Sequence, residues 1–292
     1  MMKIIKKLRD SARYPIASNR FLVAFFGNTL GIFLNIRWKI YHGNCKRSYS
    51  EKNQNEIATQ IKNNGLGVLG YFECSKLSKQ VSDEFNKIGT TRQPTKQLPR
   101  DNCGQFSKDI FSILTQASPI IESYFQSYFQ PYWISIQENF PGIVSADTSF
   151  GWHIDDNPKE LMKIFLYFND VTESNGAFRA LKLNESKKIL RKGFISYSEE
   201  ERLKNQILVN SYLEKNPNSL VVLEGKAGAL LMFDNNLVHK GTPPIHGYRQ
   251  LAQIEIYPSS RKFTEKQVYK ALTCTITNDY PRNPYLNDIA GN

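Results

Sequence analysis

The chain has 292 residues, of which 40% are hydrophobic and 22% charged. This composition lets the chain bury the core of one domain of the size of an enzyme, and it excludes a disordered or collagen-like protein. The four cysteines are widely spaced and form no CxxC pair, which argues against a zinc ribbon or a disulfide framework and favours a reducing, cytoplasmic location. The formal net charge is +11, but residues 1–50 hold ten basic residues and one acid, so only +2 belongs to the rest. This distribution does not favour nucleic acid as a partner.

The N-terminal segment, residues 1–50, combines its positive charge with an apolar run over residues 21–36. The run is shorter than the roughly 20 residues that a membrane-spanning helix needs. No small-x-small cleavage site of a signal peptide follows it. We expect either a helix on an anionic membrane surface, which would make the protein peripheral to a membrane, or a helix packed on the domain, with a spanning anchor as a third alternative.

Residues 51–292 are predicted to form one domain that begins with helices and continues with strands. A helix, a short strand and a second helix are expected up to residue 89, then a loop over 90–105 and a helix over 108–125. The segments that follow are short, rich in β-branched and aromatic residues, and separated by turns: YWISIQENF, KIFLYFND, SLVVLEG, GALLMFD and RQLAQIEIY. The predicted fold class is mainly β with flanking helices, a double-stranded β-helix (jelly roll) with an N-terminal helical region.

A polar insertion over residues 182–218 interrupts the predicted strands. Ser198 followed by Glu201 has the form of a capping box and predicts that a helix begins there. An insertion of this length is either a lid over a pocket or a spacer helix packed outside the sheet.

The residues that carry chemistry begin with His153 and Asp155. On a strand, residues two apart point to the same face, so this HxD triplet would present an imidazole and a carboxylate to one point. His239, which ends the strand-like segment GALLMFDNNLVH, is the best candidate for a third ligand. Two nitrogens and one carboxylate oxygen on one face of an octahedron leave three positions open, as in non-haem Fe(II) oxygenases, whereas zinc favours a closed set or a thiolate.

Arg249 lies ten residues beyond His239, at the start of the last predicted strand. A hairpin return of that length would bring its guanidinium back to the pocket, where it could grip a carboxylate in bidentate fashion. A cosubstrate that chelates iron at one end and carries a second carboxylate, such as 2-oxoglutarate, would need this residue. The alternative is a surface arginine on an edge strand.

The stretches FGWHIDDNPKELMKIFLYFNDVTESNGAFRAL and GALLMFDNNLVHKGTPPIHGYR resemble the phytanoyl-CoA dioxygenase-type branch of the Fe(II)/2-oxoglutarate oxygenases. The resemblance covers roughly residues 132–257. It implies a jelly roll, iron bound by His153, Asp155 and His239, and 2-oxoglutarate anchored by Arg249. The charged insertion and the Pro-Pro turn before Arg249 depart from the family pattern, and nothing in the sequence indicates an acyl-CoA substrate.

Further cofactor-binding residues are predicted on two strands. In KIFLYFND one face carries Lys163 and Tyr167, and Gln137 is placed similarly on YWISIQENF. A lysine or tyrosine from such a strand helps to hold 2-oxoglutarate in some relatives of this superfamily. The alternative is a strand on the outside with a solvated Lys163.

The sequence therefore predicts an oxidoreductase, an Fe(II)/2-oxoglutarate-dependent dioxygenase that uses O2 to hydroxylate or desaturate a small-molecule or lipid-like substrate and releases succinate and CO2. A cupin-like jelly-roll metalloprotein of other chemistry would use the same ligands but not Arg249. A non-enzymatic membrane or nucleic-acid-binding protein built around residues 1–50 is the third alternative.

Overall fold

The computed structural model of the chain describes residues 36–50, 54–88, 94–142, 149–155, 160–194 and 199–274. Apart from Ile36, the apolar run of the N-terminal segment lies outside these residues, so its location at a membrane surface stays a prediction. Within the described ranges, every helix is too short or too polar to cross a membrane.

The front of the domain is mostly helical. Its elements are α1 (Ile36–Ser48), α2 (Glu56–Asn64), β1 (Leu66–Tyr71), α3 (Ser75–Ile88), β2 (Thr95–Gln97), α4 (Arg100–Cys103) and α5 (Ser107–Phe125). The side chain of Asn55 accepts a hydrogen bond from the amide of Ala58 and so begins α2. The prediction of a loop over 90–105 is wrong for the residues of β2 and α4. A strand of three residues is too short to show an alternating pattern, and β2 forms because it pairs with the next strand of the chain.

Two antiparallel sheets follow and form the jelly roll that the sequence predicts. The remaining elements are β3 (Tyr128–Asn139), β4 (Met162–Tyr167), β5 (Phe178–Leu181), α6 (Leu183–Arg191), α7 (Glu199–Lys215), β6 (Leu220–Leu223), β7 (Ala229–Asp234), β8 (His239–Lys240), β9 (Arg249–Ser259) and α8 (Glu265–Thr273). The larger sheet has the strand order β1-β7-β4-β9-β3-β2, and the smaller has the order β6-β5-β8. The mainly β fold class is confirmed.

The two faces of β4 belong to different cores. Ile164 and Leu166 pack against the helical layer of α3, α5 and α8. Phe165 and Tyr167 point between the sheets, where they join Phe178 and other apolar residues of the smaller sheet. This alternation opens a space between the sheets beside Lys163, which shares the inner face.

Helix α1 packs against strands β3 and β9 of the larger sheet. Tyr41 and Cys45 are buried with Tyr132 and Tyr257, which lie on the paired strands β3 and β9. The Nε2 group of His42 lies 2.8 Å from the carbonyl oxygen of Phe125, to which it donates a hydrogen bond. The last part of the N-terminal segment is thus attached to the domain.

The stability of the protein should fall in mild acid because of His42. Burial lowers the pKa of His42 from 6.5 to about 4, although the carbonyl of Phe125 acts in the opposite direction. Between these two values the unfolded chain binds more protons than the folded chain, so the free energy of unfolding decreases as the pH falls, by up to about 3 kcal/mol. Urea denaturation at about pH 7 and about pH 4 should show a smaller decrease for His42→Gln. The exposed His246→Gln serves as control, and an equal decrease in all three proteins would contradict the assignment to His42.

Candidate active site

The segments 149–155 and 235–241 lie side by side and bring the two halves of the site together. His153 and His239 form an antiparallel bridge in which each amide donates to the other's carbonyl at 2.9 Å. The amide of Asp155 donates to the carbonyl of Asn235 at 3.0 Å. This pairing places the HxD triplet directly against the third proposed ligand.

The three predicted ligands converge on one point. The Nε2 atoms of His153 and His239 lie 3.5 Å and 3.7 Å from the two carboxylate oxygens of Asp155. All three residues offer ligand atoms within 4.8 Å of one another. Two ligand atoms that bind one metal at right angles, each with a bond of about 2.1 Å, lie about 3 Å apart. The three side chains would therefore need to move only slightly closer together to bind a metal. The donor set fits a divalent transition metal.

The protonation states of these residues suit metal binding. The Nδ1 atoms of His153 and His239 lie 2.8 Å from the carbonyls of Gly151 and Leu237, which accept a hydrogen from Nδ1 and leave Nε2 with its lone pair. Burial, reinforced by His153, lowers the pKa of His239 to about 3, so its imidazole is neutral. Burial acts to raise the pKa of Asp155, but Lys163 and the histidines hold it well below its usual value.

A cavity of about 630 Å³ opens on this triad. The rings of Phe178 and Phe233 lie 5.4 Å and 5.8 Å from that of His239 and form an apolar wall beside it. Three of the four predicted cofactor-binding residues also line the cavity: Lys163, Gln137 and Arg249. The structure therefore brings these three together with the proposed metal ligands.

Arg249 is buried at the start of β9 with neutral partners. Its Nε and Nη2 atoms donate to the side-chain oxygen of Asn139 at 3.1 Å and 2.8 Å, and Nη1 donates to the carbonyl of Gly176. Gly176 has a φ of +101°, and a Cβ there would lie 2.6 Å from the carbonyl oxygen of Thr242, so this turn requires glycine. Burial lowers the pKa of Arg249. Within the described ranges no carboxylate pairs with this guanidinium, which leaves a cation facing the cavity.

Lys163 is not a solvated residue on an outer strand. Its Nζ lies 2.5 Å from a carboxylate oxygen of Asp155 and 3.6 Å from one of Glu255. Glu255 in turn accepts a hydrogen bond from the hydroxyl of Tyr132. Burial acts to lower the pKa of Lys163, but the two acids raise it above its usual value. Lys163 is therefore a charged residue that holds the proposed ligand Asp155 in place.

Tyr167 and Gln137 have different surroundings. The Nε2 of Gln137 donates to the hydroxyl of Ser135 at 2.8 Å, and the side chain lines the cavity. Tyr167 is not part of the cavity wall, and its hydroxyl donates to the carbonyl of Leu223 at 2.9 Å. Burial raises the pKa of Tyr167 to about 12, so the phenol stays neutral. The structure thus places Tyr167 in the core between the sheets, in correction of its predicted contact with the cosubstrate.

The insertion packs behind the metal ligands. Trp152, which precedes His153, is buried with Ile189 of α6 and Val209 of α7, and its Nε1 lies 3.4 Å from the side-chain oxygen of Asn210. The described residues of α6 and α7 do not line the cavity. For this part of the insertion the structure favours the spacer interpretation over the lid.

The position of Lys163 leads to a prediction that separates two roles. Lys163→Met should weaken Ni(II) binding by about 10–100-fold, because Asp155 loses the partner that orients it. A direct role in gripping the cosubstrate would instead raise mainly the 2-oxoglutarate dissociation constant. Calorimetric titrations of each ligand measure the two effects separately.

Lys226→Met is the matched control, because Lys226 forms an exposed pair with Asp170 at 2.8 Å. Lys163→Arg, which keeps the charge, should recover part of the metal affinity. Parent-like Ni(II) binding by a folded Lys163→Met would contradict the positioning role.

Comparison with known proteins gives similarities at low identity. No protein-family model matches the chain, and no curated protein matches it, so the resemblance to phytanoyl-CoA dioxygenases is not confirmed. HygX from Streptomyces hygroscopicus, solved with nickel and 2-oxoglutarate bound, has a TM-score of 0.49 and 13% identity over 72% of this chain and 89% of its own. The non-heme alpha-ketoglutarate-dependent epimerase SnoN from nogalamycin biosynthesis has a TM-score of 0.47 and 9% identity over 69% and 82%. Likeness at this level is too weak to transfer an activity, so the function has to be argued from the site itself.

Proposed function

We propose that the protein is an Fe(II)/2-oxoglutarate-dependent oxygenase in which His153, Asp155 and His239 hold the iron. The observation that carries this proposal is the presence, in one cavity, of this triad and of a buried guanidinium without an acidic partner among the described residues. A metalloprotein of cupin-like chemistry would not need Arg249 in that place.

The charges of the site favour a dianionic cosubstrate. The acids Asp155 and Glu255 balance the bases Lys163 and Arg249, and the two histidines would bind a metal in their neutral form. A divalent metal would therefore add two uncompensated positive charges to a buried site, which is costly. The dianion of 2-oxoglutarate would cancel them, with one carboxylate in reach of the metal and the other on Arg249.

Bound iron would supply the activation of dioxygen and the oxidation of a C–H bond, for which hydroxylation and desaturation are the proposed outcomes. The residues of the chain would bind the metal and the cosubstrate and hold them in position. Arg249 holds the distal carboxylate, Lys163 fixes Asp155, and Phe178 and Phe233 keep water from one side of the site. Gln137 remains a proposed contact of the cosubstrate.

Conversion of 2-oxoglutarate to succinate by the full-length protein with Fe(II) and O2 tests this function. We expect slow succinate formation without substrate, dependent on Fe(II) and abolished by a chelator. Absence of both succinate formation and 2-oxoglutarate binding in protein that binds Fe(II) would favour the cupin-like alternative.

A further inference from the structure

Part of the cavity is not used by the proposed metal and cosubstrate. Cavities of about 300–1,000 Å³ accommodate whole drug-sized ligands, so a volume of about 630 Å³ leaves room beside a five-carbon diacid. The described wall that remains mixes apolar residues, among them Pro94, Phe165 and Leu251, with a polar and aromatic part that includes Thr95, Gln97, Trp133, Ser149, Phe150 and Gln253.

The register of the sheet places the key residues of this wall on one surface. Gln97 of β2 lies opposite Gln137 of β3. Gln253 of β9 lies between Ser135 on β3 and Phe165 on β4. Trp133 is two residues from Ser135 and so projects from the same face of β3. Two glutamines and one indole ring thus share the inner face of three neighbouring strands.

The side chains of Gln97 and Gln253 are available to a ligand. Neither makes a hydrogen bond to another residue in the described part of the chain. Each amide offers two donor hydrogens and an acceptor oxygen. Gln97 is exposed at the edge of the cavity, whereas Gln253 is half-buried. An acyl chain packed on Gln253 would cover its amide without pairing it, which disfavours a lipid-like substrate.

The charged residues of the wall are already committed. Among the described lining residues, the charged side chains are Asp155, Lys163 and Arg249, all assigned above to the metal and the cosubstrate. Lys96 and Glu138, on the opposite face of β2 and β3, pair with each other at 3.6 Å. The described part of the remaining surface is therefore suited to an uncharged ligand.

Trp133 adds a rigid apolar surface. Its ring lines the cavity, and the guanidinium carbon of Arg100 lies 5.3 Å from its centre, which helps to hold the ring in place. A flat ring can pack on the C–H face of a saturated ring while amides bind the hydroxyl groups at its edge. Hydroxyl groups donate and accept, as amides do.

We propose that the substrate is a neutral, polyhydroxylated ring compound, a glycoside or cyclitol, bound by Gln97, Gln253 and Trp133. This inference rests on the proposed function, since it assigns the rest of the same cavity. It replaces the lipid-like substrate that the sequence left open.

Saturation-transfer NMR on the full-length protein, loaded with Ni(II) and 2-oxoglutarate, tests this class without turnover. The probes are methyl glucoside, maltose and myo-inositol, with octanoate and tri-alanine as representatives of lipids and peptides. We expect signals from the polyols. Gln253→Leu should weaken them by at least tenfold and should strengthen octanoate binding, because leucine removes the hydrogen bonds and adds apolar surface.

Gln97→Leu provides a second variant in case Gln253→Leu does not fold, and the exposed Gln116→Leu on α5 is the matched control, which should behave as the parent. Protein that binds Ni(II) and 2-oxoglutarate but none of the polyols, or that prefers octanoate or tri-alanine, overturns the substrate class and leaves the proposed function standing. Unchanged polyol binding in both glutamine variants also overturns it. Absence of 2-oxoglutarate binding overturns both proposals.

Discussion

Replacing His239 by alanine is expected to weaken metal binding by more than about a hundredfold and to abolish iron-dependent turnover. Loss of a partner that merely orients a ligand costs about 10–100-fold in affinity, and loss of one of three ligands should cost more. His239 lies at the centre of the site, with its ring 4.2 Å from that of His153. Calorimetric titration with Ni(II), and with Fe(II) under anaerobic conditions, measures the loss directly.

His246→Ala is the matched control for this experiment. His246 is exposed in the loop before β9 and does not line the cavity. Circular dichroism would establish that both variants are folded. Parent-like Ni(II) affinity in His239→Ala would show that the metal, if bound, uses other residues, and the proposed function would lose its basis.

The local pattern of the sequence was enough to group the residues of β4 by face, but not to decide which face lines the cavity. Alternation with period two placed Lys163 and Tyr167 on one face of β4, and in the structure both lie on the inner face, although only Lys163 lines the cavity. The same rule applied to β9 would have found Gln253 and Glu255, which lie four and six residues after Arg249 on the same face. The signal for these two residues was present in the sequence.

The partners of the buried charges could not be predicted in this way. Arg249 binds Asn139, which is 110 positions earlier in the chain, because the register of β3 and β9 sets them opposite each other. Register depends on which strands pair and how far they slide, and the sequence of a single strand does not contain this information. The same reason explains why the short strand β2 was missed.

A helix after the last strand was also missed, although its beginning is marked. Thr264 and Gln267 form a reciprocal capping box at the start of α8. Val268 and Leu272 then pack four residues apart in the core between the larger sheet and the helices. Both features were readable from the sequence.

Replacing Arg249 by methionine is expected to raise the dissociation constant of 2-oxoglutarate by about 30-fold or more. Breaking one side of a buried, hydrogen-bonded charge pair costs about 2–5 kcal/mol, and each 1.4 kcal/mol is a factor of about ten. Methionine keeps much of the length of the side chain while removing the charge, so the change in volume is small. Ni(II) binding should be close to that of the parent, because Arg249 is not a proposed ligand.

Three further variants define what the result means. Arg249→Lys keeps the charge but cannot bind a carboxylate through two parallel hydrogen bonds, so its 2-oxoglutarate affinity should lie between those of the parent and Arg249→Met. Asn139→Leu should also weaken 2-oxoglutarate binding, because the guanidinium loses the acceptor that orients it. Arg261→Met, at an exposed position after β9, should have no effect. If folded Arg249→Met bound 2-oxoglutarate as the parent does, the buried cation would need another partner, and the cupin-like alternative would become the better explanation of the triad.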